Sequence, residues 1–110
     1  MEHTVCEQQG YHIVALTGEI DLESSPKARQ ILLETIDQST NVLIDMVSVT
    51  YIDSSGIASL VEAFQRTKKK GGQLAFIRLN PAVVRVLTLA RLDKVFVIHS
   101  DMESAIHAEI

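Results

Sequence analysis

A chain of 110 residues has room for one compact domain, expected to span 1–110, and its 46% hydrophobic and 22% charged content suits a filled core rather than disorder. Fourteen acidic against ten basic side chains leave a formal charge of -4, which excludes the broad basic field that captures nucleic-acid phosphates. No apolar run approaches the roughly 20 residues of a bilayer span, and Met1-Glu2-His3-Thr4 lacks the n- and h-regions of a secretion signal, so a cytoplasmic protein is expected.

Residues 4–8 and 11–17 read as two strands joined at Gln9-Gly10, a hairpin in which Cys6, the sole cysteine, is expected to be a partly buried thiol. With no second cysteine an internal disulfide is excluded, which suits a reducing compartment. Ser24-Ser25-Pro26 then predicts a helix start, with serine as N-cap and proline in the first turn. Ala28, Ile31, Leu32 and Ile36 form its apolar stripe, and Gln38-Ser39-Thr40-Asn41 ends it. Residues 42–46 are continuously apolar apart from Asp45, too short a run for a typical helix, and predict a central strand buried on both faces.

After Tyr51-Ile52, the string Asp53-Ser54-Ser55-Gly56 opens a second helix whose Ile57, Leu60, Val61 and Phe64 sit at i, i+3, i+4 and i+7. Lys68, Lys69 and Lys70 suit the negative end of that helix, and Gly71-Gly72 stops it. Residues 74–77 predict a strand, Asn80-Pro81 a cap for a third helix carrying Val84, Leu87 and Ala90, and residues 95–98 a last strand. Ser100 with Glu103 matches a capping box, predicting a fourth helix that runs through Ala105 and Ile106 to the C-terminus. Strands alternating with helices demand crossover connections, so the expected class is α/β: a mixed, mostly parallel sheet with an N-terminal hairpin, covered by about four helices. Ligands and partners of such sheets meet the loops that leave the carboxyl ends of the strands, which singles out residues 51–56.

Two hydroxyls there stand where a loop becomes the first turn of a helix, an end whose N–H groups carry partial positive charge and are expected to be free for an anion. Phosphorylation of Ser54 or Ser55 would add about -1.5 to -2 charges and three acceptor oxygens. Asp53 would hydrogen-bond a hydroxyl before modification and repel the phosphate afterwards, while Gly56 carries no side chain to shield the hydroxyls from an approaching active site. On local sequence alone, a plain helix cap explains the same four residues.

The wider pattern adds to this. Gly18-Glu19-Ile20-Asp21 with Ser25-Pro26, then Tyr51-Ile52-Asp53-Ser54-Ser55-Gly56-Ile57, then Leu79-Asn80-Pro81, Val86-Leu87 and Leu92-Asp93-Lys94-Val95-Phe96 run in an order that resembles the STAS domain family, especially the bacterial anti-sigma factor antagonists. The resemblance implies a non-enzymatic regulator that binds an anti-sigma factor serine kinase and so releases a sigma factor. It implies Ser54 as the phosphoacceptor, with Ser55 the second choice, and a serine phosphatase that restores the active form. Asp21, Asp53, Ser55, Gly56 and Ile57 are the implied partner-binding residues. Ala58 stands where many relatives have glycine, which bears on which partner is used. The alternative within the resemblance is an unphosphorylated scaffold or structural subunit of a transporter or signalling complex.

Elsewhere the sequence offers little chemistry. His99, Glu103 and His107 have helical spacing, but a helix capped at Ser100 leaves His99 outside it, and His3 and His12 add no ligand pattern; no metal site is expected. There is no G-x-S-x-G elbow and no G-x-x-x-x-G-K-[ST] loop, so no catalytic residue and no cofactor is expected, and ATP for any phosphorylation must come with a partner.

Overall fold

A computed structural model describes residues 1–107 of the chain, those of His107 without its side chain. The elements run β1 (Glu2–Gln8), β2 (Tyr11–Ile20), α1 (Ser25–Gln38), β3 (Asn41–Ile52), α2 (Ser54–Lys69), β4 (Gln73–Ile77), α3 (Pro81–Leu89), a 3-10 turn (Leu92–Lys94), β5 (Val97–His99) and α4 (Met102–His107). Among the described residues the strands form one sheet in the order β1-β2-β3-β4-β5. The β1–β2 pair is antiparallel and the remaining pairs are parallel, which is the mixed α/β architecture that the sequence predicts.

Helices cover both faces unequally. On one face Ala28, Ile31, Leu32 and Ile36 of α1, Leu60 and Ala63 of α2, and Val83 and Leu87 of α3 pack on Val14, Leu16, Ile44, Met46 and Phe76 of the sheet. On the other, Met102, Ala105 and Ile106 of α4 cover Tyr11, Ile13, Leu43, Ala75 and Ile77. Residues 42–46 are buried throughout, as a central strand between two apolar layers must be. Their one charge, Asp45, has a side chain only 8% exposed and is gripped by Arg78, whose Nε donates to Oδ1 at 3.1 Å and whose Nη2 donates to Oδ2.

Several local expectations give way to tertiary causes. Cys6 is exposed, because β1 is the outer strand and all seven of its residues are exposed. The strand expected at 42–46 continues to Ile52: β4 runs beside it only from Asn41 to Asp45, and beyond that it pairs with β2 alone through two register shifts. Those irregularities leave Met46, Val49 and Ile52 facing the core and Val47 and Tyr51 facing solvent, a spacing that no alternating pattern announces.

In α3 it is Val83 with Leu87 that points inward, while Val84 and Ala90 are exposed. The rotation is set by Asn80, whose Oδ1 accepts from Val83 N at 2.9 Å while its Nδ2 donates to Val49 O on β3. The last strand begins at Val97 rather than Val95, since the N–H groups of Val95 and Phe96 both turn back to Leu92 O at the end of the 3-10 turn. Asp101, not Ser100, caps α4, its Oδ1 accepting from Ser104 N at 2.8 Å. The end of the expected fourth helix, 108–110, lies outside the described residues. Gly71 does take the left-handed conformation, φ 74°, beyond the end of α2.

Candidate functional site at the mouth of helix α2

Parallel β2 and β3 stop at the same level, with Ile20 opposite Ile52, so their two exit loops leave the sheet side by side. Asp53 N donates to Ile20 O at 3.1 Å, which ties one loop to the other. Asp21 and Asp53, far apart in sequence, thereby become neighbours close enough for the charge of Asp53 to act on the Asp21 carboxylate.

Asp53 is the N-cap of α2. Its Oδ1 accepts from Ser55 N at 2.9 Å, from Gly56 N at 3.1 Å and from the Ser55 hydroxyl at 2.6 Å. The two serines are therefore unequal. Ser55 Oγ is engaged by the cap and half-buried, whereas Ser54 is exposed, directly at the mouth of the helix. Two of the N–H groups expected to be free at this end are also taken, since Ser55 and Gly56 donate to Asp53 Oδ1, and Ile57 N makes the first bond of the helix to Asp53 O at 2.9 Å. A phosphoryl group on Ser54 would meet donors already occupied by a carboxylate and would stand outward with little compensation.

Asp21 builds the facing wall. Its Oδ1 accepts from Ser24 N at 3.0 Å and Glu23 N at 3.1 Å, and the Ser24 hydroxyl contacts it at 3.0 Å. Ser24 stands at the N-cap position of α1 but its side chain caps nothing; Oγ donates to Glu19 O at 2.6 Å and accepts from Asp21 N at 3.0 Å, latching the loop instead. Hydrogen bonds hold both acids below the usual carboxylate range. For Asp21 the Ser24 N–H and hydroxyl dominate, opposed by its partial burial and by the charge of Asp53. For Asp53 the Ser55 hydroxyl and the Gly56 N–H dominate, with Ser55 N–H and Leu22 N–H adding to them. Both carboxylates are therefore ionised at neutral pH, Asp53 immediately before Ser54 and Asp21 on the adjoining loop.

Gly56 does not serve the outer surface as expected. It is buried, and a Cβ there would lie 2.5 Å from Ile20 O and 2.7 Å from Ile52 Cγ1, so its missing side chain lets α2 start against the ends of β2 and β3. Ile57 is half-buried against the main core, and Ala58 is exposed beside it. The sequence reading missed the apolar rim: Leu22 is 78% exposed next to Asp21, and Tyr51, opposite Glu19 in the strand pairing, is 50% exposed just before Asp53. Their solvent exposure is set by the paths of the two loops, so the only signal in the sequence is a large apolar residue close to each aspartate. Of the histidine reading, His99 lies at the end of β5 before the Asp101 cap, the side chain of His107 is outside the described residues, and no group of three metal-ligating side chains occurs among the described ones. No helix is long and apolar enough to cross a membrane among the described residues.

Comparison with known proteins agrees with this geometry. The profile of the STAS domain matches residues 4–105. The anti-sigma-B factor antagonist of Bacillus subtilis (strain 168) is 30% identical over 93 residues, covering 84% of this chain and 85% of the relative. The anti-sigma F factor antagonist of Paenibacillus polymyxa is 30% identical over 108 residues, covering 96% and 89%. Among solved structures, an anti-sigma factor antagonist from Mycobacterium paratuberculosis superposes with a TM-score of 0.87 at 26% identity, covering 97% of this chain and 92% of its own.

Proposed function

The chain belongs to the STAS domain family, and from that premise we propose that it is an anti-sigma factor antagonist whose unphosphorylated form binds an anti-sigma factor serine kinase and frees the sigma factor. Phosphorylation of Ser54 ends the binding, and a serine phosphatase reverses it. The observation that carries the reading is the inequality of the two hydroxyls: Ser55 is spent on the Asp53 cap, and Ser54 alone of the pair is exposed. The names of the relatives support the antagonist role.

In the unmodified protein, Leu22 and Tyr51 offer apolar contact around the Asp21 and Asp53 carboxylates, a surface that suits a partner presenting apolar groups and donors. Among the described residues no cation pairs with Asp21 or Asp53, so a doubly charged phosphoryl group there would add to an uncompensated negative site. An uncompensated charge buried in an interface costs about 3 to 5 kcal/mol, or roughly two to three and a half decades of affinity, which is enough to empty a complex.

The test is incubation with a cognate anti-sigma kinase and ATP, followed by mass spectrometry. One phosphate on Ser54, abolished by Ser54→Ala, is the expected result; a phosphate on Ser55 would overturn the site. In titration calorimetry Ser54→Asp should bind the kinase at least about tenfold more weakly than Ser54→Ala. Equal affinities would remove the electrostatic switch, and recovery of the protein within a transporter assembly would favour the scaffold role.

A further inference from the structure

We propose that the free edge of β1 pairs antiparallel with β1 of a second copy, centred on Val5, giving a two-fold dimer with one continuous sheet. The inference is independent of the Ser54 switch, since neither Asp21 nor residues 53–57 lie on this edge.

The edge is long and lightly guarded, its only acidic side chains being Glu2 and Glu7. Glu2–Gln8 is exposed throughout, pairs with β2 without a register shift, and contains neither proline nor lysine, the usual guards of an exposed edge. The other edge, β5, has only three residues.

Which backbone groups point outward follows from the turn. Gln9 and Gly10 both have positive φ, 52° and 85°, and join Gln8 to Tyr11 as a two-residue hairpin of the primed kind, in which the residues flanking the turn form a bonded pair. Bonded and non-bonded pairs then alternate, so Gln8, Cys6, Thr4 and Glu2 aim their N–H and C=O at β2, while Glu7, Val5 and His3 aim theirs at solvent.

A second copy must engage those three residues. Centring the two-fold axis on Val5 uses all of them: Val5 faces Val5, and His3 faces Glu7 in both symmetry-related pairs, with about six backbone hydrogen bonds. The three share one face of the strand, so each histidine N–H can reach the carboxylate opposite, and the 46% exposed Val5 is covered by its twin. Glu7 Oε2 lies 3.6 Å from His12 Nε2 of its own chain, leaving the second carboxylate oxygen for the incoming His3. Shifting the axis to Cys6 would set Val5 against Glu7 and leave His3 without a carboxylate. A second copy is thus the occupant whose side chains complement the edge.

Sedimentation of the full chain in reducing buffer should show the mass rising with concentration from 12.2 kDa toward twice that value. Val5→Pro removes an outward N–H only, a substitution edge strands accept, and should leave a folded monomer by circular dichroism. His3→Glu, which opposes two carboxylates in each pair, should raise the dimer dissociation constant about tenfold, and adding Glu7→Lys should restore it. Should Val5→Pro fail to fold, oxidative cross-linking decides: Val5→Cys combined with Cys6→Ser should yield a disulfide dimer. A monomer at every concentration, a dimer indifferent to both Val5→Pro and His3→Glu, or a native Cys6 cross-link that outpaces the engineered one would overturn the assignment.

Discussion

At residue scale, the site rests on a division of labour among four adjacent residues. Asp53 closes the helix, Ser55 supports it, Gly56 admits the neighbouring strand ends, and Ser54 is left exposed. Gly56→Ala should therefore cost about 1 to 3 kcal/mol in denaturant titration, because the new methyl meets a backbone carbonyl that cannot rotate away. The lowered Asp21 and Asp53 carboxyls fix a pH dependence. Their contribution to stability is complete above the unfolded carboxyl range, about pH 4, and is lost as pH falls through their lower folded values. Melting temperatures measured from pH 7 down to about pH 3 should fall in that acid window, and Asp53→Asn should flatten the fall. The Asp53 cap was readable from sequence because capping is local chemistry. The Ser24 latch was not, since its acceptor, the Glu19 carbonyl, depends on the path of the loop.

Helices and strands show the same boundary between local and distant causes. Periodicity located α2 and its buried Leu60 correctly, because that helix lies along the sheet with one face inward. In α3 it placed Leu87 correctly but took Val84 in place of Val83, because the roll of that helix about its axis is dictated by the bond from Asn80 to Val49. Asn80→Ala removes both this bond and the cap, and should destabilise the protein by about 1 to 2 kcal/mol in urea unfolding. The extension of β3 was hidden likewise, because where β4 ends beside it is a fact of assembly rather than of residues 46–52. Arg78→Met tests the Asp45 clasp that holds β3 to the end of β4. It leaves a buried carboxylate with its Val47 N–H bond alone and should cost about 1 to 3 kcal/mol, moderated by the half-exposed guanidinium.

Over the whole molecule, topology was the most readable property, since alternating strands and helices admit few right-handed arrangements. The unequal covering of the two faces and the bare outer strand were not, because they depend on where short α4 settles and on what does not reach β1. The proposed switch should leave this architecture intact. Ser54→Asp should show unchanged far-UV circular dichroism and a melting temperature close to that of the parent, because the side chain is exposed. The bond from Asp53 N to Ile20 O carries a last consequence. With both loops anchored to strand ends and to each other, the docking rim exists before any encounter, so little chain freedom is surrendered on association. Under the proposed switch, capture and release are expected to proceed at the pace of collision and of the modifying enzymes, with no slow rearrangement of the regulator in between.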